Sequence, residues 1–499
     1  MDKDKRKSGE ESEKEVLCMA TNKSVKRPTV AIAGASGFVG RALLDRLLRD
    51  YRVIGLTRDG ERSEIAVAEG ALDLEWRRAD LFSLPEIENG LQGVEYAFYL
   101  VHSMMPSARL TQGKFQDMDV ILADNFARAA RKAGVKQIIY LGGLIPEDAD
   151  ELCGYLHSRF EVEQTLRSYE VPVTALRTGL VVGANSSSFC VIPQLIRSLP
   201  VMICPSWMSS KTHPIALQDV VELLVACIGR KKVYGQSLNV GGPDTLTYNE
   251  MILEAARIMG KKCRLYPVPL SIPTISSLWI TSVTGISHKL VRPLVGSLTH
   301  SLVAGRRWLQ EETEISGLTF EQSARIALEE KRTRRKKANA YSCISNVRSV
   351  QRLMLPEGRS AAWTGKNYVQ WLSHNLRPFI KVEEVGGRLH FLLFGIKKPL
   401  LELTYSAERS TEEHILYYIT GGLLAHDDNI LRRGRLEFRE VLNGQYVMVA
   451  IHEFIPRLPW LLYRMTQALA HLWVMHRYGR YLRRKAERSN VKKESRVKG

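Results

Sequence analysis

The chain has 499 residues, of which 45% are hydrophobic and 25% are charged, and its formal net charge is +18. This is the composition of an ordinary globular protein, and the length predicts two or three domains. Its seven cysteines are scattered, and none belongs to a C-x-x-C pair. The sequence therefore excludes a disulfide framework and a cysteine zinc site, and it favours a reducing, cytoplasmic compartment.

The positive charge is concentrated in two places. Residues 331–337 form a basic block, and residues 477–498 contain ten basic residues against Glu487 and Glu494. Such runs are usually solvated linkers or tails, but an anionic membrane surface or a nucleic acid would also attract them. No nucleic-acid-binding motif accompanies the charge, so nucleic acid is the weaker interpretation. The first residues lack an apolar stretch, so no secretory signal is expected.

From the N-terminus, residues 1–28 are polar and aperiodic, which predicts a disordered charged tail. An apolar run at 29–33 predicts the first strand, and a glycine turn and an amphipathic helix at 38–49 follow it. Later apolar runs, separated by helical patterns, predict strands at 51–57, 96–101, 137–141, 173–177 and 237–240. Apolar strands that alternate with helices predict an α/β domain with a Rossmann-type, doubly wound parallel sheet.

The end of this first domain contains an uncharged segment at 265–287. Three prolines interrupt the segment, so it predicts a loop and a buried helix rather than a helix that spans a bilayer. An amphipathic helix near 317–324 closes the domain, which is predicted to cover residues 29–330. Residues 331–340 then form a basic linker.

After residue 341 the hydrophobic pattern changes to a period of two. It predicts strands at 389–394, 400–405, 415–420, 434–441 and 446–454. Asn443-Gly444, between the last two, predicts a type I′ hairpin. A long helix at 460–484 precedes a basic tail at 485–499. Residues 341–484 are expected to form a smaller α+β domain, an antiparallel sheet with a long C-terminal helix.

The clearest chemical signal is the turn after the first strand. It contains Gly34, Ser36, Gly37, Phe38, Val39 and Gly40. Glycines let the backbone turn tightly and approach a pyrophosphate, and the helix N-terminus that follows offers free N–H groups to it. The turn therefore predicts a dinucleotide site, with a plain strand–helix turn as the alternative.

The end of the second strand bears on the choice of cofactor. Thr57 and Arg58 stand where an NAD site usually has an acidic residue for the ribose 2′-hydroxyl, and an arginine suits the 2′-phosphate of NADP. NADP(H) is therefore favoured over NAD(H), although Asp59 keeps NAD(H) open. Asp80 and Leu81 follow a predicted third strand and are placed to contact the adenine, with a helix cap as the alternative.

Several segments resemble one family. They are the G-x-x-G-x-x-G turn, Ala79-Asp80-Leu81, Tyr99-Leu100-Val101-His102-Ser103, Ile139-Tyr140-Leu141-Gly142-Gly143, Arg177-Thr178-Gly179, Pro214-Ile215-Ala216 and Leu318-Thr319-Phe320-Glu321. Together they resemble the atypical or extended short-chain dehydrogenase/reductases, in their NAD(P)H-binding, epimerase-like branch. The resemblance covers about residues 29–330. It implies the fold and the cofactor, with Val101 beside that cofactor, and says less about the reaction.

In active members of that family, a tyrosine and a lysine four residues later carry the proton, and a strand-end serine polarises the substrate oxygen. By this resemblance Tyr155 is the catalytic tyrosine, but Arg159 stands at the lysine position. An arginine stays charged and can still hold ribose hydroxyls. Gly142 and Gly143 occupy the place of the serine, and Ser158 is a candidate substitute. A tyrosine that only faces the cofactor is the alternative.

Histidines give weaker signals. The resemblance places His102 beside the nicotinamide, as a proton donor or an ordinary loop residue, and His213 on the substrate side or in a turn. The histidines of the C-terminal domain show no metal-ligand spacing. That domain's strands and final helix resemble a START-type or helix-grip domain, which implies an apolar cavity for a hydrophobic ligand.

Two functions remain open at this point. The first is an NADP(H)-dependent oxidoreductase or epimerase-like enzyme that acts on an apolar carbonyl or hydroxyl compound. The second is a sensor or scaffold that binds NADP(H) without turnover, and the absence of the serine and the lysine favours it.

The final helix mixes Trp and Leu with arginines, so it is either a core helix with a basic tail or a peripheral membrane contact. The oligomeric state is left open.

Overall fold

The computed structural model describes residues 27–58, 73–102, 110–146, 152–269, 273–286, 288–330, 347–376, 380–425 and 434–497. The N-terminal tail through residue 26, the basic linker, Asp59 and Ser103 lie outside these ranges, so the expectations for them stay predictions.

The strands in these ranges are, in chain order, β1 Thr29–Ala33, β2 Arg52–Thr57, β3 Leu74–Arg78, β4 Tyr96–Tyr99, β5 Leu110–Gln112, β6 Gln137–Gly143, β7 Val173–Thr178, β8 Val181–Val182, β9 Val201–Pro205, β10 Lys211–Thr212, β11 Ile215–Ala216, β12 Ser237–Val240, β13 Leu246–Thr247, β14 Arg264–Val268, β15 Val347–Met354, β16 Ile380–Val385, β17 Arg388–Leu393, β18 Leu401–Tyr405, β19 His414–Gly421, β20 Arg435–Val441 and β21 Tyr446–Phe454.

The α-helices in the same ranges are, in chain order, α1 Phe38–Leu47, α2 Leu84–Gly90, α3 Phe115–Lys132, α4 Gly154–Arg167, α5 Val191–Ser198, α6 Leu217–Ala226, α7 Tyr248–Ile258, α8 Pro273–Thr284, α9 His288–Ser297, α10 Trp308–Thr313, α11 Phe320–Glu329, α12 Ala361–Asn375, α13 Trp460–Met465 and α14 Gln467–Val497.

The N-terminal domain is built on a sheet of seven parallel strands in the spatial order β12–β7–β6–β4–β1–β2–β3. The strand order reverses between β1 and β4, as in a Rossmann-type fold, and a crevice for a ligand opens there at the carboxyl ends of the strands. Helices α1 and α6 cover one face, and α2, α3 and α4 cover the other. The predicted doubly wound α/β architecture is confirmed.

The uncharged segment at 265–287 is divided between β14 and α8. Helix α8 packs on α5 and α9, yet Ile275 and Leu278 on its outer side are 60% and 53% exposed. It is therefore a half-buried helix rather than a fully buried one. None of the helices within the described residues combines the length and the hydropathy that a bilayer crossing requires.

The C-terminal domain is an antiparallel sheet in the order β16–β17–β18–β19–β20–β21–β15. The five predicted strands are present, and most of their ends differ from the predicted ends by one residue. Strands β15 and β16 and helix α12 were not predicted. The loop between β20 and β21 differs from a two-residue type I′ turn. Val441 pairs with Tyr446, and Leu442, Asn443 and Gly444 have φ values of 53°, 56° and 74°, so the loop has four residues.

The predicted final helix is in fact two helices. It breaks at Thr466, whose φ and ψ are −122° and −81°, and α14 then continues to Val497 through the expected basic tail. On the inner side of α14, Tyr478 packs against Tyr368 and Trp371 of α12, with ring centroids 5.0 and 5.1 Å apart. Aromatic side chains therefore pack between α14 and α12, and the START-type resemblance with its apolar cavity stays a prediction.

The two domains share a sheet and a core. Strand β5 belongs to the N-terminal half of the chain but pairs in parallel with β15, with Leu110 opposite Val347. Val350, Met448 and Ala450 face away from α14 and belong to the same apolar core as α3. The sheet of the C-terminal domain is therefore covered on one face by α12 and α14 and on the other by the N-terminal domain.

A buried ion cluster crosses this interface. Arg439 of β20 donates from Nη1 to Asp124 Oδ2 at 2.8 Å, contacts Asn125, and donates from Nη2 to Glu437 Oε2 at 2.9 Å. Burial acts to raise the pKa of Asp124, but Arg128 and Arg439 outweigh it and hold that pKa below its ordinary value. The guanidinium of Arg439 therefore pairs with two buried carboxylates, and its positive charge offsets part of the free-energy cost of burying their negative charges.

Candidate functional site

The glycine turn lies at the reversal point of the sheet. Gly34 has a φ of +94°, and a Cβ atom on it would lie 3.0 Å from the carbonyl oxygen of Leu100 and 3.3 Å from Val101 Cγ2. A Cβ atom on Gly40 would lie 2.1 Å from the carbonyl oxygen of Gly34. Both positions therefore require glycine, because the first turn of α1 packs directly on the end of β1 and on the loop after β4.

The N-terminus of α1 is open to a ligand. Gly37 is its N-cap, and no side chain accepts a hydrogen bond there. Ser36 is exposed beside it, and the ring of Phe38 lies close to Gly183, where a Cβ atom would be 2.6 Å from Phe38 Cζ. Val39 packs against the core that lies beneath α1. The turn thus has the close backbone approach and the free helix N–H groups that a pyrophosphate needs.

The end of β2 has one buried and one exposed residue. Thr57 is buried and its carbonyl oxygen accepts a hydrogen bond from Ala79 N at 2.7 Å, whereas Arg58 is exposed. The guanidinium of Arg58 is near enough to Asp80 to contribute to the lowering of its pKa. A cation therefore lies at the strand end where the sequence predicts the 2′-phosphate of NADP.

Asp80 makes a contact that the sequence did not reveal. Its Oδ1 accepts from Phe82 N at 3.1 Å, and its Oδ2 is paired with Arg348 of β15, in the C-terminal domain. Burial acts to raise the pKa of Asp80, but Arg348, the N–H group of Phe82 and Arg58 together hold the pKa below its ordinary value. The guanidinium of Arg348 also stacks on Phe82, 4.0 Å from the ring centroid. Leu81 is buried next to this group. The C-terminal domain thus fixes the carboxylate predicted to face the adenine.

The predicted catalytic residues lie together on α4 and are joined to α3. The Arg159 guanidinium is paired with Asp119, and Ser158 Oγ donates to the same carboxylate oxygen at 3.0 Å. The Arg159 guanidinium carbon is 5.7 Å from the ring centroid of Tyr155. Arg159 is only 5% exposed, and its Nε has no hydrogen-bond partner among the described residues. One buried donor of Arg159 is therefore still available to a ligand.

Tyr155 and His102 differ in what they can do at neutral pH. Burial raises the pKa of Tyr155 above the ordinary 10, and the positive charge of Arg159 offsets this only in part. His102 is exposed just after β4, and desolvation together with the positive charge of Arg159 lowers its pKa to about 4. At pH 7 the phenol is therefore protonated and the imidazole is neutral.

The strand end that lacks a serine is shaped by its two glycines. A Cβ atom on Gly142 would lie 2.9 Å from the ring of Tyr140, whereas one on Gly143 would meet Arg159 Cγ and Leu156 Cδ2 at an ordinary 3.7 Å. Tyr140 Oη donates to the carbonyl oxygen of Arg159 at 3.1 Å, which fixes α4 against β6. Ser158 hydrogen-bonds to Asp119, so its hydroxyl is already engaged.

His213 is a structural residue. It is 6% exposed, its Nδ1 accepts from Ala304 N at 2.8 Å, and its Nε2 is hydrogen-bonded to Thr245. Both ring nitrogens thus have partners within the fold, which favours the turn interpretation of His213 over a role on the substrate side.

An apolar cavity of about 80 Å³ lies in the lobe between α5, α7, α8 and α9. Leu180, just after β7, lines it, as do Trp207, Tyr248 and Trp279. Leu180 follows the carboxyl end of β7, so the cavity lies at the same end of the sheet as the crevice.

The glycine turn, the strand order and the position of Tyr155 together define the type of this domain. Residues 30–241 match the NAD dependent epimerase/dehydratase family. The matched segment begins in β1 and ends just after β12, so it contains the whole parallel sheet. The N-terminal domain is therefore epimerase-like over residues 30–241, which are less than half of the chain.

Two curated proteins are similar to the chain over part of its length. A ceramide reductase of Caulobacter vibrioides is 28% identical over 251 residues, which are 49% of this chain and 74% of that protein. The auxiliary protein GraX of Staphylococcus aureus is 26% identical over 119 residues, which are 23% of this chain and 37% of GraX. The chain thus spans little more than a third of GraX.

Solved structures are similar to part of the chain. A nucleoside-diphosphate-sugar epimerase from Staphylococcus aureus has a TM-score of 0.48 and 14% identity, and the match covers 60% of this chain and 99% of that one. An NADPH-dependent quinone oxidoreductase from Escherichia coli has a TM-score of 0.48 and 20% identity, and the match covers 59% of this chain and 98% of that one.

Proposed function

We propose that the epimerase-like domain binds NADP(H) and that the protein is an oxidoreductase acting on an apolar carbonyl or hydroxyl compound. The observation that carries the proposal is the group formed by Tyr155, Arg159 and His102 beside the crevice at the carboxyl ends of the parallel strands. Gly34 packs on Val101, directly before His102, so the glycine turn and this group belong to one crevice. A cofactor at the turn would end beside Tyr155.

The residues of the crevice fit a dinucleotide. Gly34 and Gly40 leave room for close backbone approach, and the uncapped N-terminus of α1 suits a pyrophosphate. Arg58 suits a 2′-phosphate, and Asp80 with Leu81 suits the adenine side. The unpartnered Nε of Arg159 suits a ribose hydroxyl. NADP(H), when bound, supplies or takes up the hydride.

In the reducing direction, Tyr155 is the proton donor. The substrate carbon gains the hydride, the carbonyl oxygen gains the proton of the Tyr155 hydroxyl, and a hydroxyl group results. The raised pKa of Tyr155 keeps this proton on the hydroxyl at neutral pH, so the residue is in the acid form and is not a base. Arg159, itself held by Asp119, stabilises the phenolate left behind. With a pKa of about 4, His102 is neutral and serves as a hydrogen-bonding group rather than an acid.

The apolar lining of the lobe supports an apolar substrate. The cavity is surrounded by Leu180, Trp207, Tyr248 and Trp279, and the side chains of Ile275 and Leu278 are exposed on the helix beside it. The relative from Caulobacter vibrioides is named for the reduction of a lipid, ceramide. Long-chain carbonyl compounds and quinones are therefore the first substrates to screen.

Tyr155→Phe is expected to lower kcat by about 10²-fold or more while leaving NADPH affinity unchanged, because only the transferred proton is lost. Wild-type kcat/KM for reduction should stay level from about pH 6 to 9 and fall only above the ordinary tyrosine pKa of 10, since the acid must be protonated and its pKa is raised. The loss of NADPH absorbance with quinones and long-chain carbonyl compounds as substrates measures both the kcat of the variant and the pH profile of the wild type. Tyr266→Phe, on an exposed strand, is the matched control. Equal turnover of Tyr155→Phe and wild type would exclude Tyr155 as the acid.

Three observations favour the second candidate, a protein that binds NADP(H) without turnover. The strand end has glycines in place of serine, Arg159 stands in place of lysine, and both Arg159 and Ser158 are engaged by Asp119. The same assay separates the candidates. Tight NADPH binding with no oxidation across the substrate panel would favour a sensor or scaffold.

A further inference from the structure

We propose that the outer face of α13 and α14 docks on an anionic lipid surface. This inference is independent of the chemistry at Tyr155. It begins with an exposed apolar stripe formed by Leu461 and Met465 of α13 and by Leu469 and Trp473 of α14. Within each helix the two residues are four apart and so lie on one side of it. Their exposed fractions are 60%, 64%, 57% and 49%.

The stripe does not belong to the core. The core side of α14 is formed by other residues, Met475, Tyr478 and Leu482, none more than 1% exposed. The helix is therefore apolar on two sides. One apolar side packs against the sheet beneath the helix, and the other apolar side faces outward, which is unusual for a surface helix in water.

The same outer face becomes cationic along the helix. Arg477, Arg480, Arg483, Arg484 and Arg488 are all exposed and follow the stripe directly. Residues 457–497 contain eleven lysines and arginines against two acidic residues, Glu487 and Glu494. Arg477 stacks on Trp473 at 4.9 Å, so the apolar and cationic parts adjoin. An apolar stripe with an adjoining cationic face matches a bilayer interface with anionic headgroups.

A second element at the same end of the sheet repeats this composition. The turn after β17 carries Phe394 and Ile396, 79% and 41% exposed, followed by Lys397 and Lys398. The ends of β17, β19 and β21 lie at one edge of the antiparallel sheet. Backbone hydrogen bonds from Leu424 to Leu400 and from Arg457 to Leu424 connect this edge to the start of α13. Two apolar and basic elements thus lie at one end of the domain.

Vesicle flotation of the full chain tests the proposal. The protein is expected to float with phosphatidylcholine vesicles that contain phosphatidylglycerol, to stay unbound with phosphatidylcholine alone, and to be released by salt. Leu461→Ser/Met465→Ser/Leu469→Ser is expected to lower binding about tenfold, and so is Arg477→Gln/Arg480→Gln/Arg484→Gln. Ile275→Ser/Leu278→Ser is the matched control, since it removes exposed apolar groups from α8 and should bind like the wild type.

Two results would overturn the proposal. One is a wild-type chain that does not float with phosphatidylglycerol vesicles at low salt, or a serine variant that floats as the wild type does. The other is a wild type that sediments as a dimer and a serine variant that sediments as a monomer, without vesicle binding in either. That outcome would assign the stripe to a second copy of the chain. The substituted side chains are all exposed, so the variants are expected to fold, and circular dichroism checks this.

Discussion

Gly37→Asp is expected to abolish NADPH binding in a chain that remains folded. Aspartate is a favourable N-cap, so the helix α1 keeps its start, although a Cβ atom there lies a tight 3.0 Å from the carbonyl oxygen of Gly34. Its carboxylate would occupy the helix N–H groups and repel a pyrophosphate. One charge pair at 4 Å with an effective dielectric of 20 amounts to about 4 kcal/mol, so affinity should fall at least about 10²-fold. Calorimetric titration measures it.

Gly37→Asn is the matched control for this prediction. The amide has the same shape and the same capping ability but no charge, so it separates electrostatic repulsion from steric obstruction. It should lose clearly less affinity than the aspartate variant. If the two variants bind NADPH equally weakly, crowding at Gly34 is the cause and charge is not. If both bind as the wild type does, the cofactor lies elsewhere.

Arg439→Met is expected to destabilise the full chain by about 3–5 kcal/mol, the usual cost of removing one partner from a buried ion cluster. Asp124 and Glu437 would lose their shared cation while staying buried, and Asn125 would lose a donor. Because these groups join β20 to α3, the C-terminal domain should loosen first. Urea unfolding followed by tryptophan fluorescence measures the change.

Arg325→Met is the matched control for the buried cluster. It removes an ion pair with Glu321 in which both side chains are about half exposed, so the loss should stay below about 1 kcal/mol. The pKa values of Asp124 and Glu437 lie below the ordinary ones, so the stabilisation from the cluster is present above about pH 4.5 and lost as the pH falls through the lowered values. If Arg439→Met lowers the free energy of unfolding no more than Arg325→Met does, the cluster does not make the proposed contribution to stability.

The elements that local patterns specify were predicted well. The glycine turn, the apolar strands of the parallel sheet and the period-two strands after residue 388 depend on neighbours in sequence, so composition and spacing reveal them. Tyr155 and Arg159 were assigned through the family resemblance, and their catalytic role stays a prediction. The helix break at Thr466 and the four-residue loop at 442–445 depend on side-chain packing. Local patterns predicted a continuous helix and a two-residue turn instead.

The elements that were missed depend on contacts between distant segments. Strand β15, which was not predicted from the sequence, carries Arg348, which is buried beside Asp80, and Arg352, which is partly buried beside Asp117 and Glu161. Asp119 likewise resembled an ordinary residue on the surface of a helix, and only its pairing with Arg159 places it in the candidate site. The two partners of each ion pair lie tens to hundreds of residues apart in the sequence. A local pattern therefore does not predict that such a charged residue is buried.

Calorimetric titration of the full chain with NADPH and NADH, on the wild type and on Arg58→Ala, is the most direct test of the cofactor proposal. NADPH should bind more tightly than NADH, and Arg58→Ala should weaken NADPH about tenfold or more, as the loss of a charged hydrogen bond implies, while leaving NADH unaffected. Binding of neither nucleotide to the wild type would contradict the proposed NADP(H) site and, with it, the oxidoreductase activity.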